Sequence, residues 1–572
     1  MTEPATHVPA SARPLLWTLA FWPLALLSVV KLVALRVEPG LTAFYALHQD
    51  QWLLLAVVTL TALCALPAVR RIAPFDLSGR VVAMLSAALG LLAYAGHYLL
   101  LAGYELSRDE QMANFDARIY ASGKLVQPIP IESQLLADAQ SPIAMLPVSH
   151  PVAWISAYLP GNSLLRALFG ILGDAALTGP LLTALAAIFL WKCARLLWPD
   201  DRETAVVSLA MLALSGQVLM AGMTAYAMPA HLCANLLWLW LFLQDRRRLD
   251  IAALLVGFVA TGLHQPVFHP LFVAPWLFVL LRKGAWRRLA LFVSGYGVIS
   301  LFWLAWPLLT QTLIVGPQSV TLAEGTDIVS RIRFLLNHNG GSLPFMASNL
   351  LRFVAWQPVV FLPLFCAGWV VARQDRDAMA LAGGLVLTAL AMELLLPFQG
   401  HGFGYRYFHG LLGNGALLAA FGWRSLALWH ERLRPIFVRA GIATVIIILP
   451  TQATMALQFY APYATADARI AASGADYAVI GERDARYALD LAHNRADLSN
   501  RPIRLVADLI SDPAALAQRI CRPGVRVAVP QATFYAPIDQ LFGAKPSPAP
   551  GEQGKVVAAA LNTAGCTIVP LN

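Results

Sequence analysis

Charge is scarce in this chain. Asp, Glu, Lys and Arg make up 13% of its 572 residues, against roughly 25% in an ordinary soluble domain. That deficit, with a hydrophobic share of 58%, excludes a string of soluble domains. A cleavable signal peptide is not expected either. The start MTEPATHVPASARP is polar, and the apolar segment after it lacks a small-residue cleavage site. No His-Glu-x-x-His run occurs, so helix-borne zinc chemistry lacks its signature. The formal charge of +9 does not imply a nucleic-acid partner, because the basic residues mark membrane topology instead.

Long apolar runs are what the chain has in abundance. Runs of about 18 or more residues are the transmembrane signal. About thirteen spans are expected, near 15–36, 52–69, 81–103, 174–197, 204–221, 225–244, 251–265, 267–281, 289–311, 347–372, 378–397, 408–428 and 436–457. Loops rich in Lys and Arg mark the cytoplasm. Here they include Arg70-Arg71, Arg202, the run Arg246-Arg247-Arg248, Arg287-Arg288, Arg376 and Arg434. The loops at 104–173, 312–346 and 398–407 then face outward, as does the tail. The expected class is a polytopic α-helical membrane protein over residues 1–458, with a small C-terminal α/β domain over 459–572 on the periplasmic side.

This topology is polarised. His231, His264, His401, Asp109, Glu110, Arg331, Arg333 and Arg406 all fall at or near the outer face. Ionisable groups near membrane depth are costly and usually functional, so any chemistry is expected there. The tail alternates strand-like and helix-like stretches, among them PIRLVADLI, DPAALAQRI and RVAVP. It carries no glycine-rich phosphate loop. Cys521 and Cys566 are its only cysteines, and spacing leaves their pairing open.

In the stretch YELSRDEQMANFDARIY, Ser107 and Glu110 form a capping-box pattern. A helix from about 108 would carry Met112, Phe115, Ile119 and Tyr120 on one apolar face, lying along the membrane surface. Glu110 then has a structural duty as cap, and Asp109 does not. Asp116 is expected as a surface acid or a partner of Arg118 or Lys124.

The segment DEQMANFDARIYASGKL resembles the first-loop signature of GT-C superfamily glycosyltransferases. WISAYLPGNSLLRALFG, TAYAMPAHLCANLLWLW, GLHQPVFHPLFVAPWLF and GYRYFHGLLGNGALLAAFG are similar, in order, to later segments of that family. The departures are Leu159 in place of a proline and His264-Gln265-Pro266 in place of Arg-Pro. The family includes protein O-mannosyltransferases and the lipid A aminoarabinose transferase. The resemblance implies transfer of a sugar from a polyprenyl-phosphate donor to a lipid, glycan or protein acceptor, with inversion, in a bacterial inner membrane.

On that reading Asp109 and Glu110 are the catalytic candidates, with Asp109 favoured as general base. Arg406 is the expected phosphate ligand, because its planar fork matches phosphate oxygens. Tyr405 and Tyr407 flank it, Arg331 and Arg333 are second choices, and His231, His264 and His401 are polar pocket residues. No cofactor is implied, and a divalent metal held across loops stays open. Two alternatives stand beside this reading. One is a diphosphate-linked glycan ligase or polymerase resting on outer-face Arg and His. The other is a lipid or glycan flippase.

Overall fold

The computed structural model describes residues 41–66, 71–140, 145–146, 152–315, 342–482, 488–543, 545 and 549–572. The first expected span, 15–36, lies outside the described residues, as do Arg331 and Arg333. Among the described residues, five helical stretches are long and apolar enough to cross a membrane: Gly79–Leu99, Ala175–Leu197, Trp286–Ile314, Arg376–Leu395 and Ala427–Ala471. Arg202–Ala213 and Gly216–Gly222 add a sixth if taken together, bent by 54° at their junction. Ser215 sits at that bend, and its hydroxyl accepts from the Val218 amide at 3.3 Å, restarting the helix as an N-cap.

Other expected spans are short helices. Met228–Leu243, Arg247–Thr261 and Phe268–Arg282 have 15 or 16 residues, below the roughly 20 of a full crossing. The run 347–372 is two helices, Leu343–Ala355 and Phe361–Val371. Pro358 stands between them, where it supplies no N–H to an entering turn. Phe361–Val371 packs on Leu412–Ser425 almost backbone to backbone. A Cβ on Gly368 would lie 1.8 Å from the Leu418 carbonyl oxygen, and one on Gly422 2.0 Å from that of Leu364. Small residues at such a crossing let two apolar helices approach closely.

The basic loops expected on one side are paired with acids from neighbouring loops of the same expected side. Arg202 meets Asp76 at 3.3 Å, Arg434 meets Glu203 at 2.7 Å and Arg288 meets Asp250 at 2.7 Å.

The composition changes near residue 458, but the helical period does not. Leu449–Ala471 is one helix, so the domain boundary expected at 458/459 falls inside it. Beyond it lie four short strands: β3 (Tyr477–Gly481), β4 (Ile503–Val506), β5 (Arg526–Pro530) and β6 (Thr567–Leu571), numbered after β1 (Gln127–Pro128) and β2 (Ala153–Trp154) of the first long loop. β3–β6 form a parallel sheet in the order β4-β3-β5-β6. Helices Pro513–Ile520 and Glu552–Thr563 run between its strands, as parallel pairing requires. The inner strands are buried, in keeping with a sheet covered on its faces. Cys521 and Cys566 form a disulfide that closes a 45-residue separation.

This sheet unit is sewn to the first long loop. Leu136 and Ala139 of that loop share the apolar cluster of Leu505, Val527 and Leu561. Phe115, Ile119 and Trp154 share another with Ala496. The Trp154 indole donates to the Ala496 carbonyl at 2.9 Å, and the Asn494 amide donates to that of Gln140 at 2.9 Å.

Candidate functional site

The first-loop helix is Arg108–Ala121. Ser107 caps it: its hydroxyl accepts from the Glu110 amide at 3.3 Å, and the Glu110 carboxylate accepts from the Ser107 amide at 3.3 Å. This reciprocal box satisfies two amides that a helix start leaves unpaired. Glu110 is also tied elsewhere. It accepts from the Ala225 amide at 3.2 Å and from the Tyr460 hydroxyl at 3.2 Å. Burial pushes its carboxyl up to about 7, against those hydrogen bonds. Glu110 does not line the cavity described next; its carboxylate is taken up by the cap, the Ala225 amide and the Tyr460 hydroxyl.

Asp109, one residue earlier, faces a cavity of about 1040 Å³. That volume is at the upper end of small-molecule sites, roughly 300–1,000 Å³. The Tyr158 hydroxyl donates to Asp109 Oδ1 at 2.5 Å. Arg406 Nη2 donates to Asp109 Oδ2 in a direct ion pair. Burial drives the Asp109 carboxyl upward, but Arg406, the nearby His264 ring and the Tyr158 hydroxyl outweigh it and hold it well below the usual carboxylate range. Burial in turn opposes the charge on Arg406, and Asp109 more than restores it, raising its pKa. The two side chains remain 19% and 12% exposed, so a ligand in the cavity can reach both.

Arg406 opens a single 3-10 segment, Arg406–Leu411, after the glycine-rich loop. Gly402 and Gly404 there have φ of 149° and 64°, values that favour glycine. Arg406 Nη1 donates to the His401 carbonyl at 2.9 Å, and the Tyr226 hydroxyl donates to the same oxygen at 3.1 Å. The guanidinium also lies 5.1 Å from the Tyr226 ring centroid and 5.6 Å from that of Tyr407, within cation–π range.

The remaining candidates divide. Tyr407, His231, His264 and His401 line the cavity with Asp109 and Arg406. His264 lies against Tyr158, with ring centroids 4.2 Å apart. His231 is buried, and neither ring nitrogen has a hydrogen-bond partner. Tyr405 is not at the cavity. It is fully buried against Phe408 and Tyr407, because adjacent residues of a tight turn point apart. Asp116, expected at the surface, is buried too. Burial pushes its carboxyl up to about 7, against a hydrogen bond with Ser156.

Among the cavity residues that the sequence reading does not single out are Arg108, Tyr158 and Asp490. The first two lie inside stretches that the sequence singles out, beside Asp109 and before Leu159-Pro160-Gly161. Asp490 lies in the tail, where no motif marks it. Among the described residues, no group of three or more His, Cys, Asp or Glu is arranged to hold a metal ion.

Fold and site together define a helical chain with several helices fit to cross a membrane and a large cavity built around a carboxylate–arginine pair. No family model matches the chain, and no curated protein does. Among solved structures, the chain is similar to a crystal structure of ArnT from Cupriavidus metallidurans bound to undecaprenyl phosphate. The identity is 13%, covering 86% of this chain and 90% of that one, with a TM-score of 0.45. It is also similar to the apo state of the same protein, at 15% identity over 85% and 89% of the two chains, with a TM-score of 0.43.

Proposed function

We propose that the chain is a GT-C-type membrane glycosyltransferase. It moves a sugar from a polyprenyl-phosphate donor to an acceptor hydroxyl on the periplasmic face of a bacterial inner membrane. The observation that carries this reading is the Asp109–Arg406 pair, set in a cavity large enough for a sugar phosphate and open to it. Helices fit for a bilayer suit an enzyme whose donor has a lipid tail.

The reaction joins the acceptor oxygen to the anomeric carbon and breaks that carbon's bond to phosphate, with inversion. Negative charge grows on the departing lipid phosphate, and a positioned arginine stabilises it. The acceptor proton passes to Asp109. In the resting pair Asp109 is a weak base, because Arg406 holds its pKa down. A phosphate that engages Arg406 draws off that counter-charge. The carboxylate becomes more basic as the donor settles, so base strength rises when it is needed.

Asp109→Asn in native membranes is expected to abolish glycan transfer. Arg406→Ala is expected to lower it by on the order of 10²–10³-fold, as loss of one transition-state donor does. Near wild-type transfer by Asp109→Asn rules out Asp109 as the base. It then favours the diphosphate-linked ligase reading, to which the unpartnered His231 in the cavity lends weight. Export of a labelled lipid by purified protein in vesicles, with no sugar transferred, would sink the transferase reading in favour of a flippase.

A further inference from the structure

The cavity has a wall that the apolar helices do not supply. Asp490, in the short helix Ala488–Leu491, lines it together with Leu489 and Phe542. Asp490 is fixed from behind. Its backbone carbonyl accepts from the Gln111 side-chain amide at 3.0 Å and from the Tyr104 hydroxyl, both belonging to the first long loop. Tyr104 in turn stacks on His493, with centroids 5.0 Å apart and the rings 9° from parallel. The Asp490 carboxylate points the other way, to His401 Nε2 at 3.2 Å.

That contact joins Asp490 to the reacting centre. The His401 ring meets Asp490, the His401 carbonyl receives Arg406, and Arg406 pairs with Asp109. Asp490 is thus a second carboxylate in the same cavity, separated from the first by two residues, His401 and Arg406. A carboxylate is the wrong neighbour for a phosphate, because like charges repel strongly where water is thin. It is the right neighbour for hydroxyl or amine hydrogens, to which it offers up to four lone-pair sites. His401 Nε2 takes one carboxylate oxygen, and Arg108, which lines the same cavity, is an electrostatic partner of Asp490, so the carboxylate faces a ligand with its charge partly balanced. A polyprenyl tail must lie along the apolar helices. Asp490 comes from the sheet-bearing unit instead, so it meets what enters beside that unit.

We infer that Asp490 is an acceptor-binding residue, through which the C-terminal unit takes a direct part in the site and selects acceptors rich in hydroxyl or amine groups. This rests on the transferase reading above.

The test uses the full-length chain. Asp490→Ala, Asp490→Asn and Asp490→Glu are compared in two assays. One is the mass of surface glycans in a deletion strain complemented with each variant. The other is binding of undecaprenyl phosphate to the purified protein. Asp490→Ala is expected to cut the transferred-sugar signal at least tenfold while Kd for undecaprenyl phosphate stays within twofold. Asp490→Glu is expected to restore part of the signal, and Asp490→Asn less. The inference is overturned if Asp490→Ala keeps full transfer, or if its Kd weakens in step with transfer, since Asp490 would then serve the donor or the packing alone. If the wild-type chain neither binds undecaprenyl phosphate nor changes the glycans, the transferase reading fails first and this one with it.

Discussion

At the scale of single residues, two adjacent carboxylates are driven in opposite directions. Glu110 is pushed up to about 7 by burial, whereas Asp109 is held low by Arg406, His264 and Tyr158. Chain position alone cannot distinguish them, but their partners can. Tyr158 is the most informative of these, because its hydroxyl touches Asp109 without being charged. Tyr158→Phe keeps the ring against His264 and removes one hydrogen bond to the ionised carboxylate, so the Asp109 pKa rises. If Asp109 must be ionised to accept a proton, the acid limb of the kcat/KM profile, which lies below the usual carboxylate range in the resting pair, moves upward. A uniform loss at all pH values would mean that Tyr158 serves substrate binding rather than the state of Asp109.

At the scale of elements, the start of the first-loop helix decides where both carboxylates point. Ser107→Ala removes the cap and is expected to cost about 0.5–2 kcal/mol. It would be read as a lower Tm in detergent, with Ser107→Thr close to wild type. This element was legible because its logic is local: Ser107 and Glu110 are three residues apart. The site was legible only in part. The sequence marks Asp109 and Arg406 by their surroundings, yet their pairing spans 297 positions and no local pattern encodes it. The neighbouring Tyr405 and Tyr407 look alike on paper, and only the 3-10 geometry after residue 405 sends one inward and leaves the other at the cavity. Span lengths were misjudged where proline or a bend interrupts an apolar run, as at Pro358 and Ser215, because hydropathy registers composition and not helix continuity. Asp116 reads as exposed in its own loop. The cover over that helix includes Ala496, which arrives almost four hundred residues later.

At the scale of the whole molecule, that cover has a measurable consequence. The sheet unit and the first long loop share apolar clusters that cover the helix carrying Asp116, whereas Glu110 is enclosed by Ala225 and Tyr460. Both carboxyls stand at about 7 in the folded chain, well above the roughly 4 of an unfolded carboxyl. Through these two groups folding takes up protons between about pH 4 and pH 7, and their contribution to stability falls as pH rises through that window. Asp109 works in the opposite sense. Its pKa is depressed, so its contribution is present above the unfolded value and is lost only in stronger acid. Buried His264 and His493 also oppose the two raised carboxyls: burial lowers their pKa, so acidification costs stability there. Each group contributes a slope of at most about 1.4 kcal/mol per pH unit. Asp116→Asn keeps the shape and removes one raised titration, so on acidification from pH 8 to pH 5 its Tm in detergent is expected to fall further, or rise less, than that of wild type. An Asp116→Asn slope equal to wild type would mean that the two units part in solution and leave the helix wet.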